Sequence, residues 1–223
     1  MALHPQSHLP RRNHVHLHLP PAQPPRTGAA LAVVAIPAAA HAATLDVTYD
    51  AVGTAHIAST GSSIDLASTQ LHTTIDADTG AITGSMPLTG TRTEFKIAGL
   101  LPVSANVNFV EAAPITGSLN RIDIDRTTTV TTEASYYIRL SNVWVGGLPT
   151  FNGFGYCQTE EPVIIPANTP EGEVFNITTG GPLEGTFSIG DFEHCGFNTL
   201  LINQIIPGNG NTVELDISNG RLG

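Results

Sequence analysis

The sequence is short of charge, of cysteine and of usable histidine, and each shortage excludes something. Charged residues make up 13% of the 223, and 19 Asp and Glu stand against nine Lys and Arg, a net charge of −10. So acidic a chain is a poor partner for nucleic acid, because affinity for phosphates comes mainly from Lys and Arg. Anionic membrane surfaces are disfavoured by the same sign argument. No uncharged apolar run reaches the roughly 18 residues that a membrane-spanning helix needs, so no transmembrane segment is expected. Nothing in the pattern calls for a cofactor.

What is present first suggests a destination. Residues 28–40 read GAALAVVAIPAAA, followed by Ala40-His41-Ala42. An apolar run with an A-x-A cleavage site is a secretory signal, so residues 1–42 are expected to be a leader, cut after Ala42, and the protein to be secreted and extracellular. Residues 1–27 are long and rich in Pro and His for an n-region. Arg11-Arg12 is a weak twin-arginine match, being followed by Asn-His-Val and lying far from the apolar run. His14, His16 and His18 have the character of a metal-binding tract, yet they precede the cleavage site. Losing Arg11, Arg12 and Arg26 with the leader leaves six basic and 19 acidic residues in 43–223, a net charge of −13.

Both cysteines, Cys157 and Cys195, lie in that mature part. An even count in an exported chain points to a disulfide. Closing that loop removes unfolded-state entropy worth about 3 to 4 kcal/mol in the chain-entropy model. A metal site would need Cys157, Cys195, His194 and a fourth ligand, and no C-x-x-C or H-x-x-x-H spacing supports one.

Hydrophobic periodicity is mostly of period two, the mark of half-buried strands. Leu45, Val47, Tyr49 and Ala51 alternate with Thr44, Asp46, Thr48 and Asp50, and 101–109 alternates in the same way. In 130–140, Val130, Thr132, Ala134, Tyr136, Ile138 and Leu140 share one face. Ile75-Asp76-Ala77-Asp78-Thr79-Gly80-Ala81-Ile82 reads as a hairpin, with Asp able to bond its own backbone and Gly80 free to take positive φ. Further strands are expected near 62–75, 82–88, 92–98, 115–125, 162–166, 173–178, 183–189 and 212–218. About a dozen strands in one domain, 43–223, predict an all-β fold, a two-sheet antiparallel sandwich or a barrel. One short helix is expected near 199–206, capped by Asn198, with Leu201, Ile202, Ile205 and Ile206 at helical spacing and Pro207-Gly208 as the stop. Ile-Thr-Gly-Ser occurs at 82–85 and again at 115–118, without the fixed period of a true repeat.

Candidate chemistry is sparse. Nucleophilic catalysis needs a base in reach of a hydroxyl or thiol, and only His56, His72 and His194 follow residue 42. Gly185-Thr186-Phe187-Ser188-Ile189-Gly190 has the wrong spacing for a nucleophile elbow and lies on a strand. No catalytic residue is assigned; Asp191 and Glu193 are the carboxylates that a glycan hydrolase would use, if a sugar-sized cleft held both. Asp76 and Asp78 begin like a calcium loop, but Gly80 and Pro87 stand where ligands should be. Asp123 with Asp125, or Glu160 with Glu161, are the remaining acidic pairs. Asn176-Ile177-Thr178 is a glycosylation sequon in a eukaryotic secretory setting.

Aromatic residues are the other clue. Tyr136, Tyr137, Trp144, Phe151, Phe154 and Tyr156 fall close together, with Tyr137 on the polar face of its strand. Tyr137, Trp144, Phe151 and Phe154 are the candidate ligand-binding residues, because flat rings bury much area at little entropic cost. The expected function is a secreted, non-catalytic β module binding an extracellular ligand, either a glycan or an apolar small molecule. Two alternatives are a carboxylate-dependent glycan hydrolase and a carrier of apolar ligands, the latter requiring an enclosed apolar cavity of roughly 300 Å³ or more.

Overall fold

The computed structural model describes residues 43–97, 100–121, 128–149 and 157–223. The leader 1–42, Asp123, Asp125, Phe151, Phe154 and Tyr156 lie outside the described residues. The chain forms β1 (Thr44–Ile57), β2 (Ser62–Asp76), β3 (Ala81–Ser85), β4 (Thr91–Ile97), β5 (Leu101–Arg121) and β6 (Thr128–Val145). It continues with β7 (Leu148–Pro149), β8 (Cys157–Thr159), β9 (Val163–Asn168), β10 (Gly180–Ile189), β11 (Phe192–Glu193), helix α1 (Thr199–Ile205) and β12 (Gly208–Leu222).

Of the two architectures compatible with the pattern, the pairing selects the barrel. Each pair around the circuit β1–β2–β3–β5–β6–β9–β10–β12 is antiparallel, and β12 returns to β1. The eight strands therefore meander up and down and return to their start, with the first part of β2 running beside β4 without a ladder. Short strands finish the wall at one end: β4 continues beyond β3 along β5, while β7 and β8 continue beyond β9 along β6. β11 then adds to β8.

Period-two alternation places the core inside the ring. Val47, Tyr49 and Ala51 of β1, Val103, Ala105 and Val107 of β5, and Val213 and Ile217 of β12 are all buried. Outward positions are polar, with Asp46 and Thr48 on β1 and Glu214 and Asp216 on β12. A lipid-facing barrel carries the reverse pattern. Each fully buried Val, Leu, Ile or Phe contributes about 1.5–3 kcal/mol, so the interior supplies the main driving force.

The two Ile-Thr-Gly-Ser segments lie against each other. Ile82 is opposite Gly117, Thr83 opposite Thr116 and Gly84 opposite Ile115. Each isoleucine thus faces a glycine across the ladder. A Cβ on Gly117 would stand 2.3 Å from the backbone oxygen of Thr131, so no larger residue fits there. At the expected hairpin, the Asp76 carboxylate accepts N–H bonds from Asp78 (3.0 Å) and Thr79 (2.8 Å), and Gly80 takes φ 74°. Those bonds, chiefly from Thr79, hold the Asp76 carboxyl below its usual range.

Candidate functional site

The barrel encloses a cavity of about 140 Å³. It is bounded by the inward faces of the ring and, at one end, by Leu201, Ile202 and Ile205 of α1. No Asp, Glu, His, Lys or Arg is among the described residues that line it. The volume is below the roughly 300 Å³ at which drug-sized sites begin. It is close to the roughly 150 Å³ of an engineered apolar cavity that stays dry and binds benzene.

The far end is sealed by Tyr49 and Phe175, whose rings meet edge-on at 5.7 Å. The Tyr49 hydroxyl donates to the Ile177 carbonyl at 2.7 Å. Burial raises its pKa to about 12. Tyr136, also buried, donates to the Met86 carbonyl at 2.7 Å, and burial followed by the charge of Glu111 pushes its pKa up. Glu111 itself spans the break between β3 and β4, accepting from the Met86 N–H at 2.9 Å and from the Ser85 hydroxyl at 2.7 Å. The inward hydroxyls of Thr73 and Thr132 donate to the carbonyls of Val47 (2.9 Å) and Ala167 (2.5 Å).

α1 closes the near end. Its N-cap, Asn198, makes no side-chain cap bond, and neither terminal turn carries a complementary charge. A seven-residue helix without caps has little stability of its own. It is fastened instead by tertiary bonds: the Asn203 amide accepts from Phe192 N–H at 2.8 Å and donates to the Phe192 carbonyl at 3.0 Å. Ser59 Oγ donates to the Ile206 carbonyl at 2.7 Å. Cys157 and Cys195 are at disulfide distance, with Cα atoms 4.3 Å apart, joining β8 to the turn that leads into α1.

The candidates named from sequence are distributed as follows. Tyr137 is half-buried on the outer face of β6, opposite Val110, while Tyr136 points inward. Trp144 is 40% exposed on the same outer face. Its direction follows from a bulge at Asn142 (φ 48°), after which Val143 rather than the even-numbered residue points inside. Seven residues of strand put the two rings roughly 20 Å apart, so they do not share one contact patch by themselves. Asp191 is exposed and Glu193 partly exposed at the β11 edge, where Glu193 lies 3.3 Å from His194; neither lines the cavity. Among the described residues no group of three or more His, Cys, Asp or Glu is arranged to hold a metal ion.

Sequence reasoning missed Thr93. Arg92, Glu94 and Lys96 alternate with Thr93 and Phe95 on β4. That charge pattern was the available signal that Thr93 points inward, where it is 9% exposed and lines the cavity.

No family model matches the sequence, and no curated protein or solved structure is found similar to it.

Proposed function

We propose that this protein is a non-catalytic binding module that takes a small apolar ligand into its barrel. The observation that carries the reading is the ring around an apolar cavity whose described lining contains no Asp, Glu, His, Lys or Arg and whose two tyrosines, Tyr49 and Tyr136, each donate to a backbone carbonyl. General acid–base or nucleophilic chemistry on a bound ligand would need such a group at the cavity wall. Placement of Asp191 and Glu193 on an outer edge favours a binder over a carboxylate-dependent glycan hydrolase. A 140 Å³ space suits a ligand of about six to eight heavy atoms, such as one aromatic ring with a short substituent.

We place its action outside the cytoplasm. The paired cysteines are compatible with an oxidising compartment, and the apolar run at 28–40 with Ala40-His41-Ala42 supplies the export signal. Mass spectrometry of the protein from culture medium should give a mature N-terminus at Ala43; an intact leader on secreted protein would overturn this part.

Toluene tests the cavity reading. A ligand that binds only the native state raises stability by RT ln(1 + [L]/Kd). The melting temperature should therefore climb with toluene concentration, and titration calorimetry should saturate at one site. Absence of both effects would leave the barrel interior as packing alone.

A further inference from the structure

We infer that the ligand is neutral and carries one hydroxyl or carbonyl group, which the Thr93 hydroxyl holds at the α1 end of the cavity. This rests on the cavity-binding reading above. An ionised ligand would lose its hydration on entering, and no charged side chain among the described lining residues would replace it. Neutrality follows from that imbalance.

Polarity and position come from how the lining hydroxyls are used. Tyr49, Thr73, Thr132 and Tyr136 each donate to a backbone carbonyl, so none has its proton left for a ligand. Thr60 and Ser62 bond to each other at 2.6 Å. Thr93 differs: it is more than nine-tenths buried and lines the cavity, yet its hydroxyl has no partner among the described residues. Among the described residues no occluded side-chain oxygen lacks a partner, so this hydroxyl keeps an open surface, and a ligand oxygen in the cavity is what it can reach.

The location of Thr93 also gives the ligand a way in. β4 is the terminal strand of the sheet path, bonded to β5 alone, and the β2 strand runs beside it without a ladder. Leu66 and Leu88 line the cavity beside this seam. Opening a seam that has no inter-strand ladder breaks few hydrogen bonds, such as that from the Thr69 hydroxyl to the Pro87 carbonyl, so access there costs less than at any paired wall. The polar end of the ligand, entering last, comes to rest beside Thr93.

The experiment compares four molecules of nearly one size at pH 7: toluene, benzyl alcohol, benzoate and benzylammonium. Calorimetry is run on the wild type and on Thr93→Val, an isosteric change that removes the hydroxyl. Benzyl alcohol and toluene should bind the wild type, and the two ions should bind at least tenfold more weakly. Thr93→Val should weaken benzyl alcohol about five- to tenfold and leave toluene within twofold, a loss consistent with one hydrogen bond. Thr93→Ser, which keeps the hydroxyl, should retain the affinity for benzyl alcohol. It also carries the comparison, against Thr93→Ala, if the valine variant melts below the assay temperature. Equal weakening of toluene and benzyl alcohol, or benzoate binding as well as benzyl alcohol, would overturn the inference while leaving an apolar cavity site in place. Failure of all four molecules to bind would overturn the cavity reading itself.

Discussion

The end of the barrel that holds both termini of the ring is closed by the loop between β9 and β10, whereas the opposite end is closed by a separate seven-residue helix. In the loop, Phe175 N–H donates to the Thr128 carbonyl at 2.8 Å and the Thr128 hydroxyl donates back to the Phe175 carbonyl. Tyr49 adds a ring contact and a hydrogen bond from inside the wall. The loop is thus bonded to the strands that form the ring. α1 instead buries Ile202 and partly buries Leu201 and Ile205, while Leu200 and the preceding Phe197 are exposed. Its attachments are few and can be broken one at a time. Closure by the ring's own strands opens only with global unfolding, and closure by an appended helix can open locally.

The largest test of that contrast is Tyr49→Ala. Removing a buried aromatic costs about 3 to 5 kcal/mol, so the melting temperature should fall steeply in one cooperative transition. Tyr49 also gives a pH signature. Its folded pKa, about 12, exceeds the ordinary value of 10, so its contribution is full below pH 10 and is lost as pH rises through about 12. Tyr49→Phe should flatten stability in that alkaline window relative to the wild type; an unchanged alkaline profile would mean that the phenol is not buried in solution.

Replacing Cys157 and Cys195 together by Ser should cost about 3 to 4 kcal/mol through the unfolded-state entropy of the 38-residue separation. Beyond that global loss, hydrogen exchange should rise most between 190 and 207. Uniform deprotection of the barrel would count against a separable lid.

Asn203→Ala removes both side-chain bonds to Phe192 and should cost about 1 to 3 kcal/mol, since it leaves two partly buried backbone groups unpaired. Exchange protection of α1 should fall while that of β1 and β12 stays near the wild-type level.

Smallest of all is the Asp50–Arg221 pair on the outer wall, 2.6 Å long and partly exposed at both partners. The bond from Arg221, then that from Asn219, holds the Asp50 carboxyl below its usual range. A depressed carboxylate stabilises the fold above its unfolded pKa, near 3.9, and loses that contribution as pH falls through the folded value. Asp50→Asn should therefore melt slightly below the wild type at pH 7, with the difference vanishing in strong acid.

Particular residues mark what could be read before the fold was known. The inward set Val47, Tyr49 and Ala51, the contrast of Tyr136 with Tyr137, the helix after Asn198 and the cysteine pair all follow from local rules: period two, period 3.6, the Pro207-Gly208 stop and parity of cysteine count, whereas the cap expected of the Asn198 side chain does not form. Elsewhere, long-range pairing overrode the local pattern. Residues 101–121 form one strand instead of two, because β5 has β6 along its whole length and β3 and β4 in succession on its other edge. Residues 173–178, expected as a strand, contain only isolated bridges at Phe175 and Asn176 and a turn in which Asn176 accepts the Thr178 N–H at 2.8 Å. The direction of Trp144 depended on the bulge at Asn142, which alternation alone does not reveal.

By itself, then, the sequence determined the class of structure: alternation, turn residues and a single apolar segment of helical spacing stopped by Pro207 dictate many strands and one short helix, since each depends on neighbours only a few positions away. Tertiary structure alone decided that the strands close on themselves, that the two Ile-Thr-Gly-Ser segments face each other, and that Thr93 lines an apolar cavity with no partner for its hydroxyl among the described residues. Ring closure and a shared void are set by which distant strands meet and how far they slide past one another, and period-two alternation is compatible with many such registers.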